Sequence, residues 1–437
     1  MQRYSLLSLK ILIRSAHPIS IDDQALTDEL TTGEVGVWHL PSVRVRTGFT
    51  LSRPTLRRSP LGIPLIQQIK IARYIIGKKL SGQHRYPLAM MLEPLFQCNL
   101  ACAGCGKIDH PKNILQKRLS VEEALRAVDE CGAPVVSIPG GEPLIHKEMP
   151  EIVRGIVARK KFVYLCTNAI LLQKHIDEYE PSPYFTWSIH LDGLEKRHDE
   201  SVCMEGVFNK AVAAIKLALS RGYRVTINCT LFNQEPPEEV ADFFDYAMSL
   251  GIEGITVSPG YSYQHAPRQD VFLGRTESKN LFREVFKRGK QRKSKWVFNQ
   301  SSMFLDFLAG NQSYQCTPWS NPTYNIFGWQ KPCYLLVDEG YAPTYKALME
   351  ETQWENYGVG INPKCDNCMA HCGFEGSSVN DTFAHPLKAL RVALFGPRTD
   401  GAMAPDLPVL YGDRASFNAS RIPVRTIEEH DPGLSEG

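Results

Sequence analysis

No stretch of this 437-residue chain approaches the roughly 18 uninterrupted apolar residues of a membrane-spanning helix. Charge of one sign is also missing. The 49 Lys and Arg nearly balance 47 Asp and Glu, a net charge of +2, which argues against a nucleic-acid specialist with its strong basic excess. At the amino terminus, MQRYSLLSLKILIRSAHP has only a short apolar run, broken by Lys10 and Arg14. It lacks the long apolar core and small-residue cleavage site of a secretory signal. Compositional bias is absent as well: 43% hydrophobic and 22% charged residues are an ordinary globular balance. The length asks for one large domain plus a smaller unit.

Against these absences stand 12 cysteines. Without an export signal a disulfide framework is not expected, and clustered cysteines read as metal or redox sites. FQCNLACAGCGK spaces Cys98, Cys102 and Cys105 as C-x3-C-x2-C. A structural zinc site wants four ligands, commonly in two separated pairs. Three thiolates in one short loop suit a 4Fe–4S cluster with one iron left open; the rival is a zinc knuckle with a distant fourth ligand. Downstream, Cys316, Gly328 and Cys333 read C-x11-G-x4-C, and Cys365, Cys368 and Cys372 read C-x2-C-x3-C. This second set could hold another iron–sulfur cluster, a zinc ion, or nothing.

From residue 86 short β-rich runs alternate with helical ones: PLAMMLEPL, VVSIPGG, FVYLCTN, YFTWSIHLDG, RVTINCTLF and GITVSPGY each precede a helix-like segment. Six strand–helix units imply an α/β fold with a parallel sheet and right-handed crossovers. The polar tips GGE, CTN, HLDG, NCT and SPGY would converge at one end, favouring a partial (β/α)6 barrel of the TIM-like kind with its site at the C-terminal strand ends. The expected organisation is a poorly ordered extension over 1–60 and an amphipathic helix over 61–85. A core barrel follows over 86–262, then a smaller Cys-rich C-terminal domain over 263–395 and a loosely ordered tail over 396–437. Lys70, Arg73, Lys78 and Lys79 make the 61–85 helix basic; it reads either as packed on the main domain or as lying on a membrane surface.

The three-cysteine loop directly after the first strand, followed by the GGE tip, resembles the radical S-adenosylmethionine superfamily over about residues 86–262. The resemblance implies a 4Fe–4S cluster on Cys98, Cys102 and Cys105, with S-adenosylmethionine as co-substrate. It implies cofactor contacts from Gly140, Gly141 and Glu142, the last adding opposite charge to the cofactor's ammonium. His190 and Asp192 stand where the superfamily often has a ribose-contacting Ser-x-Asp, and Asn168 and Asn228 are further polar tips. Over about 61–385 the text, including RYPLAMMLEPLFQCNLACAGCGK and CTPWSNPTYNIFGWQKPCYLL, resembles the hopanoid-biosynthesis branch, the adenosylhopane synthases.

That branch implies a radical adenosyltransferase forming a C–C bond at the alkene of diploptene, an apolar triterpene. The electron donor would be a flavodoxin or ferredoxin, and the location cytoplasmic or peripheral at the inner membrane surface. Cys166, in YLCTN, would return a hydrogen atom to the product radical. Trp319, Tyr324, Phe327, Trp329 and Tyr334 would line the apolar pocket or pack the smaller domain, and Cys131, Cys203 and Cys229 would pack the core. The alternatives are an enzyme of the SPASM or twitch type modifying a peptide or cofactor, with Cys316, Cys333, Cys365, Cys368 and Cys372 holding an auxiliary cluster, and a non-catalytic zinc or iron–sulfur scaffold.

Overall fold

The structure is a computed structural model that describes residues 64–410, apart from 262 and 264. The expected extension over 1–60 and the end of the tail lie outside the described residues. Nine strands form one sheet: β1 (Ala89–Glu93), β2 (Val135–Ile138), β3 (Phe162–Thr167), β4 (Phe185–His190), β5 (Arg224–Leu231), β6 (Ile255–Pro259), β7 (Thr323–Asn325), β8 (Gly328–Gln330) and β9 (Tyr341–Ala342). Their order is β6-β5-β4-β3-β2-β1-β7-β8-β9. The first six are parallel in register, and β7 adds parallel to the free side of β1. β8 and β9 continue antiparallel as a meander. This is the expected α/β radical-barrel architecture, open rather than closed, with the Cys-bearing C-terminal region extending its sheet.

Helices follow strands as the periodicity requires. Val121–Cys131 starts at a capping box in which Ser120 accepts from the Glu123 amide and Glu123 reaches back, satisfying two otherwise orphan donors. Its end is set by Gly132 at φ +70°, a left-handed position that glycine adopts without strain. Met149–Ala158, Val207–Ser220 and Pro237–Ser249 bury their apolar stripes on the outer face of the sheet. There Val136, Leu165, Trp187, Ile189, Ile227 and Val257 meet them in one continuous core.

The inner face differs, because side chains alternate along a strand. It carries Ser137, Tyr164, Cys166, Ser188, Asn228, Thr256 and Ser258, which line a cavity of about 960 Å³. Small polar residues on this face leave room that large aliphatic ones would have filled. One end of the cavity is met by the helix Leu65–Leu80, whose Gln67 amide donates to the Tyr164 hydroxyl at 3.0 Å. Among the described residues no helix is long and apolar enough to cross a membrane.

Candidate active site at the strand tips

The loop that follows β1 is clamped to the glycine loop that follows β2. The Gly141 amide donates to the Leu95 carbonyl at 3.0 Å and the Glu142 amide to the Gln97 carbonyl at 2.9 Å. A Cβ on Gly141 would meet the Phe96 carbonyl oxygen at 2.5 Å, with the Gln97 carbonyl nearer still. Glycine is therefore required for the two backbones to touch. Beyond this clamp come the cysteines. Cys98 Sγ accepts from the Leu100 amide at 3.4 Å, and the Cys105 amide donates to the Cys102 carbonyl at 3.2 Å. Cys98 and Cys102 rest against Leu100, Val202 and Val207. At Gly104 and Gly106 a Cβ would strike the Phe232 ring and the His265 backbone.

Burial lifts all three thiols. With Glu142 and Cys105 adding to the effect, Cys98 is pushed up to about 11. Cys102 is raised by burial and then by its two neighbouring thiols, and Cys105 by burial. Such groups ionise only when a cation takes the proton's place. Among the described residues no three His, Cys, Asp or Glu side chains stand close enough to hold a single metal ion. Three thiols gathered on one short loop are a donor set that fits an iron–sulfur group, which binds them as thiolates.

Glu142 also ties strand tips together. Its Oε1 accepts from the Leu144 amide at 3.0 Å and the Thr167 hydroxyl at 2.8 Å, and its Oε2 from the Asn168 amide at 2.9 Å. The carboxylate thus pins the β2 tip to the β3 tip. Asn168 donates to Asn99 Oδ1 at 2.8 Å, tying β3 to the cysteine loop. Asp192 is fully buried and shared: Oδ1 faces His190 Nε2 at 2.8 Å and accepts from the Thr230 amide at 2.8 Å, while Oδ2 accepts from Ser201. Burial alone would raise Asp192, but His190 and the hydrogen bonds hold it below the usual carboxylate range. Burial would likewise lower His190, and the Asp192 charge raises it instead.

Cys166 is the penultimate residue of β3, facing the cavity with its Sγ 3.5 Å from the Ser137 hydroxyl. Burial raises this thiol, keeping it as S–H. Asn228 faces the same cavity. Of the five C-terminal aromatics only Tyr334 lines it. Trp329 is fully buried against Tyr324 and Tyr345, Trp319 meets Trp354 edge-on, and Phe327 packs on Phe96 and Tyr341. Those four pack away from the cavity. Cys131 and Cys229 are buried as expected, but Cys203 is exposed, because it sits at φ +55° in the turn after the helix Glu195–Ser201.

The second cysteine set also converges. Cys316 is raised by burial and then by the proximity of Cys368, Cys333, Cys365 and Cys372. A Cβ on Gly373 would meet Cys316 Sγ at 2.8 Å, so this glycine admits the thiol beside Cys372. Between the two sets lies a buried pair that sequence reasoning missed. Lys107 Nζ sits 2.9 Å from Glu93 Oε2 and 4.4 Å from the centre of the Tyr334 ring. No motif marks Glu93 or Lys107, and only the fold shows both side chains nearly excluded from solvent. Ser201 and Asn99 were invisible for a similar reason, since no motif marks them.

Residues 92–247 match the family described as the Radical SAM superfamily. Over this stretch the chain is similar to radical SAM domains. Residues 255–392, which complete it and add the second cysteine set, match a domain of unknown function (DUF3463). Relatives of the radical SAM domain include a protein named GTP 3′,8-cyclase 1 from Mycobacterium tuberculosis, 29% identical over 178 residues, 38% of this chain and 49% of the relative. A GTP 3′,8-cyclase from Synechocystis is 28% identical over 277 residues, 61% of this chain and 84% of the relative. The molybdenum cofactor biosynthesis protein 1 of Drosophila melanogaster is 27% identical, over 39% of this chain and 31% of the relative. The chain thus spans about half the length of the Mycobacterium relative. Among solved structures, SuiB from Streptococcus suis bound to S-adenosylmethionine aligns with a TM-score of 0.48 at 18% identity, over 60% of this chain and 64% of SuiB.

The cofactors expected from the sequence, a 4Fe–4S cluster and S-adenosylmethionine, are those of a radical SAM domain. The narrower expectation is overturned. The relatives are named for GTP cyclisation and molybdenum cofactor biosynthesis, so adenosylhopane synthesis, the diploptene substrate and the hopanoid role are withdrawn. Nothing in these comparisons singles out flavodoxin or ferredoxin as electron donor, and that assignment is withdrawn with them.

Proposed function

We propose that the chain is an enzyme that cleaves S-adenosylmethionine reductively at Cys98, Cys102 and Cys105 and acts on a second substrate held in the cavity of the open barrel. One observation carries this: the three thiols lie on a loop locked by Gly141 and Glu142 against the glycine tip, at the C-terminal ends of the strands that wall the cavity. When bound, a 4Fe–4S cluster supplies one electron that splits the sulfonium C–S bond, giving methionine and a 5′-deoxyadenosyl radical. The chain's own part is positional. Cys98, Cys102 and Cys105 would hold the cluster. Gly140, at φ +70°, and Gly141 keep side chains away from the cofactor's amino-acid end. Asp192, oriented by Ser201 and Thr230, and His190 offer a polar edge, joined by Asn168 and Asn228. Cys166, held as a thiol, would give a hydrogen atom to a carbon radical in the cavity, and the thiyl radical left behind would take one electron from the external reductant and a proton to become the thiol again. Cys316, Cys333, Cys365, Cys368 and Cys372 hold a second iron–sulfur cluster in this reading.

The relatives' names put GTP first among substrates to test. The cavity lining supplies hydroxyls and an amide from Ser137, Ser188, Thr256 and Asn228, and two ammonium groups from Lys290 and Lys295. Anaerobically reconstituted protein with a reductant and S-adenosylmethionine should yield 5′-deoxyadenosine, and the Cys98/Cys102/Cys105→Ala variant none. Absence of cleavage by the wild type overturns the proposal. Cleavage without consumption of added GTP removes GTP alone.

A further inference from the structure

Ten of the fourteen large apolar side chains that stand exposed among the described residues belong to one region. Leu65, Ile66, Ile69, Ile76 and Leu80 lie on the helix Leu65–Leu80. Leu387, Leu390, Leu394 and Phe395 lie on the helix Pro386–Phe395, with Phe383 just before it. The exposure is deep: Leu80 is 84% exposed, Leu387 81% and Phe395 72%. Scattered single residues of this kind need no explanation, but a contiguous set does. The two halves meet, since Lys79 Nζ lies 5.5 Å from the Phe383 ring centre, and both helices line the cavity.

Charge accompanies the apolar face. The two helices carry Lys70, Arg73, Lys78, Lys79, Lys388 and Arg391 and not one Asp or Glu. Around them, Asp381 is already engaged by Tyr314, His385 and Lys388. A protein partner of ordinary composition would not call for a surface so one-sided in charge. Apolar side chains ringed by ammonium and guanidinium groups match the boundary between acyl chains and anionic headgroups.

We propose that the helices Leu65–Leu80 and Pro386–Phe395 form one docking face for an anionic lipid bilayer and set the mouth of the cavity against it. The docking itself needs no step of the proposed chemistry; only its use, presenting the cavity to the membrane, rests on reading that cavity as the substrate's site. The sequence alone pointed to the first helix. The second helix, its contact with the first and the cavity between them come from the fold. The face would seat the protein on the surface without crossing it, each large apolar side chain adding to a partition that anionic headgroups reinforce.

The test is flotation of the full-length reconstituted protein with vesicles of phosphatidylcholine containing about 30% phosphatidylglycerol, beside pure phosphatidylcholine. The wild type is expected to float with the anionic vesicles and to be released by high salt. Ile66→Ser/Ile69→Ser/Leu387→Ser, three positions outside the cavity lining, should lower the partition coefficient about tenfold or more. Circular dichroism and 5′-deoxyadenosine formation on the same preparations separate docking from folding and chemistry. Cleavage should persist in this variant, so loss of binding with intact cleavage supports the face, while loss of cleavage in the wild type would instead sink the proposed chemistry. Wild type that stays with the soluble fraction at either composition overturns the docking. So does a dimer in light scattering that the triple substitution dissociates, which would assign the face to a second copy of this chain.

Discussion

Substituting Gly141 by alanine should empty the cysteine site before it unfolds the protein. The added methyl would lie 2.5 Å from the Phe96 carbonyl oxygen and 2.6 Å from the Gln97 carbonyl carbon, where unstrained contact needs about 3.5 Å. Both neighbours are backbone and cannot rotate away, so the two loops must part by roughly 1 Å. That breaks the Gly141–Leu95 and Glu142–Gln97 hydrogen bonds, 3.0 and 2.9 Å long. Each buried donor left unmade costs about 1–3 kcal/mol, giving a loss of about 2–6 kcal/mol centred one residue before Cys98. Gly132→Ala is the control. It suffers left-handed strain at φ +70° but meets nothing within 4 Å, a cost of about 1–2 kcal/mol far from the cysteines. Iron content after anaerobic reconstitution, with the thermal midpoint beside it, reads the difference. Gly141→Ala should lose about four irons per chain and 5′-deoxyadenosine formation, while Gly132→Ala keeps both. A Gly141→Ala protein with wild-type iron and wild-type cleavage would refute the interlock.

Two further outcomes follow from particular side chains. His198 is buried with Nδ1 accepting from the Asp192 amide at 3.2 Å and Nε2 without a partner, and burial, then His190, push it down to about 4. A base so depressed contributes fully above its unfolded value of about 6.5 and loses that contribution as pH falls, by up to about 1.4 kcal/mol per unit. Urea unfolding between pH 6.5 and 5 should therefore show a slope that His198→Gln flattens; an equal slope in both proteins removes the assignment. Cys166→Ala should leave uncoupled 5′-deoxyadenosine formation intact, since Cys166 lines the cavity and does not belong to the cysteine loop. Conversion of the accepted substrate should fall about tenfold or more, and unchanged conversion would end the hydrogen-donor role.

The barrel was legible because each of its strands is a β-rich run closed by a distinctive tip, and because Ser120 with Glu123 marks a helix start without tertiary help. The extra strands β7 to β9 were not. They are two or three residues long, too short for any period to register, and they exist because β1 offers a free edge. The cysteine loop could be read from spacing alone. The bonds that hold Glu142 were not legible, because its donors Thr167 and Asn168 come from another strand tip. The aromatic residues Trp319, Tyr324, Phe327 and Trp329 read equally as pocket or packing because composition gives no direction, and direction is what the sheet register supplies. The same alternation that hid the cavity now explains it: Ser137, Cys166, Ser188 and Ser258 fall on one face, and their small side chains leave it open. The narrower functional reading failed at another level, since it followed resemblance of continuous text, whereas the relatives found carry the names of GTP cyclases.

The central claim is that Cys98, Cys102 and Cys105 hold a 4Fe–4S cluster with one iron free for S-adenosylmethionine. Electron paramagnetic resonance of the reduced, oxygen-free protein, recorded with and without S-adenosylmethionine, tests it most directly. The account predicts a reduced-cluster component that changes shape on addition of the sulfonium compound and is missing from the Cys98/Cys102/Cys105→Ala variant, which keeps only the signal of a cluster on the second cysteine set. A spectrum with no component that responds to S-adenosylmethionine, or a responding component that survives without those three cysteines, would contradict it.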